Sequence, residues 1–231
     1  LDRYAQTDWA WFYTLFAAAF GTYLLPYSQT LNNHTVAAFS AFFTLYHFVK
    51  IWDEGAVEGW RFALVGFLAA FTATSELPAA AFATLAAIAL LVRFFRRTLT
   101  WGIPFALIPL VAMFACQYAA MGQFKLPYEE FGHDAYLFEG SLWKTPLELD
   151  ALNVPWMDPE EAARRGIVKE SYGKYLFHMT LGHHGFWSSS PIFLIAAIGL
   201  VSLLRGRRPM GAVAWLTLAL TVILLAFYTW N

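Results

Sequence analysis

The chain has 231 residues, of which 59% are hydrophobic and only 13% charged, against about 25% charged in ordinary soluble domains. Its formal net charge is -1, and no basic tract marks it as a nucleic-acid binder. A single cysteine, Cys116, excludes an intrachain disulfide, and its apolar surroundings read as packing rather than nucleophilic chemistry.

A membrane-spanning helix needs roughly 20 mostly apolar residues. Taken in chain order, seven runs approach that length: 9–27, 35–52, 60–74, 78–95, 101–121, 190–204 and 211–230. Several carry Trp or Tyr at an end, where such rings anchor at the membrane–water interface. Aromatic residues make up 19% of the chain, in keeping with that role. These runs predict an all-α, polytopic transmembrane bundle of about seven helices. The first run follows no cleavable signal pattern. The chain opens on Leu1-Asp2-Arg3 and stops at Trp230-Asn231 beside an apolar run, which reads as part of a longer protein.

The short connections set an orientation. Arg3, then Lys50 with Arg61, then Arg93, Arg96 and Arg97, then Arg205, Arg207 and Arg208 fall on one side when the runs alternate. Lys and Arg in short loops stay cytoplasmic, so the N-terminus is expected inside and the opposite face outside. The outer face then receives residues 29–34, the tight turn at Ser75-Glu76, and a long segment, 122–189. That segment holds ten acids and six bases and is too long for a plain connection. The organisation predicted is 1–121 for helices one to five, 122–189 for an outer subdomain with short helices, and 190–231 for helices six and seven.

The candidate site residues lie on that outer face. Glu76 is the sole acid between residues 60 and 95. A carboxylate near membrane depth is costly and points to function, although it would also complement the start of the following helix. Asn32, Asn33 and His34 offer amides and an imidazole for a sugar or phosphate, or else satisfy one another and the helix ends. His178, His183 and His184 form a cluster without the HExxH spacing of a zinc site, so hydrogen bonding or phosphate contact is the stronger reading. Ser188 sits in a serine run ahead of helix six, where backbone N–H groups bind anions or the hydroxyls simply cap the helix. No GxSxG, Cys–His or phosphate-loop motif occurs.

Two stretches carry a family resemblance. The run 184–194, His-Gly-Phe-Trp-Ser-Ser-Ser-Pro-Ile-Phe-Leu, resembles a Gly-Leu-Phe-x-x-Ser-Pro stretch of bacterial type C membrane glycosyltransferases. The run 74–80, Thr-Ser-Glu-Leu-Pro-Ala-Ala, is similar to an acid-aromatic-Pro-Ala stretch between neighbouring helices of the same family. The resemblance implies a bacterial inner-membrane protein that moves a sugar from a polyprenyl-phosphate donor at the outer face. A carboxylate would activate the acceptor hydroxyl, and cationic groups or a divalent metal would stabilise the leaving phosphate. By position, Glu76, His183 and His184 would contact donor phosphate or acceptor. The family's catalytic acid follows its first helix, where this chain has Asn32-Asn33-His34 instead. That loop therefore lies upstream of Leu1, or catalysis is absent. The alternatives are a transporter, disfavoured by the scarcity of ionisable groups inside the apolar runs, and a non-catalytic subunit whose outer loop binds a partner. A cavity reaching Glu76 separates the enzyme from that subunit.

Overall fold

A computed structural model describes residues 4–124, 172–182, 185–205 and 210–230. Every described element is helical, and no strand occurs among these residues. Most of the outer segment, including the expected helix start near residue 158 and both His183 and His184, lies outside them. The chain divides into two compact units, Leu1–Ala112 with Leu176–Asn231, and Met113–Tyr175.

The first apolar run is not one continuous helix. It divides into α1, Asp8–Phe20, and α2, Leu24–Ser28. Thr7 caps α1 by accepting the Ala10 N–H at 3.1 Å. The Gly21 N–H closes α1 on the Ala17 carbonyl, and a Cβ on Gly21 would press against that carbonyl. Pro26, inside α2, has no N–H to return to residue 22, which weakens helix continuity across the break.

The next two runs form an antiparallel pair, α3, Asn33–Trp52, and α4, Gly59–Ser75. Asn32 caps α3: its Oδ1 accepts the Thr35 N–H at 2.9 Å. Gly55, at φ 69°, makes the turn between the pair. At the start of α4, Arg61 Nε donates to Glu58 at 2.9 Å. Together with the Glu58 backbone N–H, this holds the Glu58 carboxyl below its ordinary range; the backbone bond is the larger cause. Further along, the Ser40 hydroxyl donates to the Leu68 carbonyl at 2.8 Å and ties the helices together.

A 3₁₀ turn, Leu77–Ala79, leads into α5, Ala80–Arg97. The backbone leaves helical geometry at Phe94 (φ -130°, ψ 44°), passes a π turn, Thr98–Gly102, and enters α6, Ile103–Met121. Leu77–Met121 is helical almost throughout, yet Ala80 and Leu110 line one cavity. Thirty residues of straight helix would hold them about 45 Å apart, so the chain reverses between α5 and α6. Close approach makes the corner possible: Gly66 of α4 meets Gly102 backbone to backbone, leaving no room for a Cβ on Gly66.

The remaining described helices are α7, Tyr172–Thr180; α8, Phe186–Ser189; α9, Ile192–Arg205; and α10, Gly211–Trp230. Met210, at φ 73°, precedes α10 and donates its N–H to Asp53 Oδ2 at 2.8 Å. This pins the start of α10 beside the end of α3. Phe48 and Ile51 of α3, Phe62 and Val65 of α4, and Ala86 and Leu90 of α5 form the core, with Ala212 and Val213 packed against it.

Elsewhere the buried positions are mostly small: Ala37, Ala63, Ala69, Ala70, Ser40, Thr44 and Thr72. Large apolar side chains point outward instead, among them Phe42, Val92, Val111 and Ile198. Among the described residues two helical stretches, Asn33–Trp52 and Leu77–Met121, are long and apolar enough to cross a membrane.

Within the second unit, α6 ends at Gly122 (φ 71°), whose N–H returns to the Tyr118 carbonyl at 2.8 Å.

Candidate functional site

Glu76 falls between α4 and the 3₁₀ turn, with its backbone extended (φ -145°, ψ 110°). A carboxylate there ordinarily turns back to cap the helix that follows. Glu76 makes no such cap. Its Oε2 accepts the Asn33 Nδ2 amide at 2.6 Å and pairs with His34 Nδ1 at 2.8 Å. Asn33 Nδ2 also donates to the Ser75 carbonyl at 2.8 Å. Two consecutive residues at the first turn of α3 thus grip an acid 42 and 43 positions away.

Asn32, their neighbour, is absorbed by structure. Its oxygen caps α3, while its amide donates to the Tyr27 carbonyl and to Thr30. The Tyr27 ring meets the His34 ring edge-on, with centroids 5.6 Å apart. Asn32 therefore sets the direction in which Asn33 and His34 project, and it carries none of the site's free chemistry.

His34 and Glu76 stand at one end of a cavity of about 600 Å³ between α3, α5 and α10. The α3 wall presents Ala37, Ala38 and Ala41, and the α10 wall presents Leu216, Thr217, Leu220, Thr221 and Leu224. Each set recurs at helical spacing, so each is one face of its helix. Among the described residues the wall contains no Lys or Arg, and Glu76 is its one acid. A cavity of this size, apolar with a few polar groups gathered at one point, has the character of a small-molecule site.

The segment near α8 folds on itself. Ser188 donates its hydroxyl to the Gly182 and Gly185 carbonyls, and Gly182 packs against His178. Neither Ser188 nor His178 lines the cavity. The structure thus brings together Asn33, His34 and Glu76 from the sequence-derived set, with Asn32 beneath them.

The α10 wall was missed in the sequence, where its pattern of Leu216, Thr217, Leu220, Thr221 and Leu224 was the available signal. Among the described residues no three His, Cys, Asp or Glu side chains group as metal ligands. No protein-family model, curated protein or solved structure matches the chain.

Proposed function

We propose that this chain is a multi-pass membrane protein of the glycosyltransferase type, transferring a sugar from a polyprenyl-phosphate donor at the outer face of a bacterial inner membrane. The observation that carries the reading is the cavity between helices that ends on His34 and Glu76, the Glu76 carboxylate being held also by Asn33. A lipid-borne substrate needs an apolar space for its chain and hydrogen-bonding groups where the chain stops, and this cavity offers both.

Several features support the membrane part. Small residues line helix contacts while large apolar ones face outward, as in helices packed within lipid. The 20 residues of α3 measure about 30 Å, close to the hydrocarbon thickness of a bilayer. One end of α3 and its neighbours carries Lys50, Arg61 and Arg93; the other carries Asn33, His34 and Glu76. Basic residues mark the cytoplasmic side, which supports an outer-face site, as transfer from a flipped lipid-linked sugar requires. The reversal between α5 and α6 makes two crossings of one long helical stretch.

The test incubates membranes containing the intact protein with a panel of radiolabelled polyprenyl-phosphate sugars. Transfer of label by the wild type, lost in Glu76→Gln, is expected. Absence of transfer from every donor in the panel would overturn the reading.

A further inference from the structure

The cavity has a feature that a phosphate-binding site lacks. Among the described residues its wall has no Lys or Arg, and its one acid is a carboxylate already bound to an imidazole. Phosphate recognition calls for guanidinium, ammonium or free N–H groups. A hydroxyl, by contrast, is suited to a carboxylate–imidazole pair. With Glu76 ionised and acting as acceptor, His34 must carry its hydrogen on Nδ1, which leaves the lone pair on Nε2. A carboxylate that fixes the tautomer and offsets the imidazolium charge is how a histidine is prepared as a general base. Asn33 donates to the same carboxylate oxygen and so helps to hold it beside the ring.

We infer that this cavity is the acceptor site, that its occupant is a long-chain lipid bearing a hydroxyl and no phosphate at its head, and that His34 is the base that activates that hydroxyl. The inference rests on the transferase reading above and names the acceptor class for it. The acceptor's chain lies along the α3 and α10 walls, and its hydroxyl reaches His34 Nε2. In the step, the hydroxyl proton moves to Nε2 and the oxygen lone pair forms the new bond to the anomeric carbon. The anomeric carbon–oxygen bond to phosphate breaks, and its electron pair leaves with the polyprenyl phosphate. The imidazolium then gives its proton to that phosphate or to water. Glu76 and Asn33 are positioning residues. Glu76 and Tyr27 are the titratable side chains in contact with the ring.

A binding experiment tests the occupant without requiring turnover. The intact protein in nanodiscs is photolabelled with a diazirine-bearing sixteen-carbon alcohol, competed by hexadecanol or by hexadecyl phosphate. Label is expected on α3 and α10 peptides, displaced at least tenfold better by the alcohol. Ala38→Phe, which fills the cavity, should abolish that label while helicity by circular dichroism is unchanged. Equal or better competition by the phosphate, or label confined to other helices, would overturn the inference and leave the transferase reading standing.

The base role is read in the transfer assay. Removing a general base costs about 10²–10⁴-fold in rate. His34→Gln should lower kcat by at least 100-fold with donor KM within about threefold, and should remove the acidic limb of the pH–rate profile. Asn33→Ala should lower kcat less and shift that limb, and Asn33→Gln should recover part of the loss. A His34→Gln enzyme with wild-type kcat would sink the assignment. Failure of the wild type to transfer any sugar would instead sink the transferase reading on which it rests, with the labelling result still deciding the occupant.

Discussion

The two ends of the helical pair α3–α4 each hold a carboxylate bound by residues far along the chain, yet they are held in different ways. At the Asp53 end, the carboxylate accepts the Met210 backbone N–H, and Arg93 donates to the Trp52 carbonyl at 3.2 Å while stacking over the Trp52 ring. These bonds go to backbone groups, and Phe48, Ile51, Phe62 and Leu90 close the space beside them. At the Glu76 end, the carboxylate is held by two side chains, and the helices part around about 600 Å³. A polar group held by backbone in a filled core has nothing left to offer a ligand. One held by an imidazole that lines a cavity does.

Mutations should separate the two ends. The largest expected effect on stability is at the closed end, where Gly66→Leu forces α4 away from the π turn. Overpacking of this kind costs about 3 kcal/mol, to be read as a lowered unfolding midpoint in detergent and poor recovery of folded protein. Asp53→Ala removes the acceptor for the start of α10. Loss of such a cap costs about 1 kcal/mol, and the labelling of the cavity should persist. Glu76→Gln should reverse that pattern, with stability changed by under about 1 kcal/mol and transfer lost. If Asp53→Ala abolishes transfer as fully as Glu76→Gln, with the protein still folded, the contrast between the ends fails.

The smallest effect is expected at Glu58, whose carboxyl is held low by its own backbone N–H and by Arg61. A carboxylate depressed in the folded state adds stability above its ordinary value of 4.5 and loses it as pH falls through the folded value. Glu58→Gln should therefore flatten the acid side of the stability–pH curve slightly. Unfolding midpoints measured across that range check it.

Much of the helical plan was legible because apolar length is a local property. The starts of α3 and α5 follow from Asn32 as a cap and from Pro78 near the first turn, both visible in the sequence. The division of the first run was legible too, in Gly21 and Pro26, but the length of the apolar run outweighed those two residues in the reading. Glu76 stood out by its isolation among apolar residues, and its two alternatives, helix cap or site, were equally compatible with sequence. The structure removes the cap reading, because the carboxylate meets Asn33 and His34 instead of the following helix.

The sequence by itself determined that the chain is helical, apolar and polar at restricted positions, because helix length, caps and hydrophobic runs are written in neighbouring residues. The tertiary structure alone decided that Glu76 meets His34 and that α10 supplies the far wall of the cavity. Both depend on which helix faces which, and that is settled by small-residue contacts such as Gly66 on Gly102 and by the single bond from Met210 to Asp53, made across distances in sequence that no local pattern encodes.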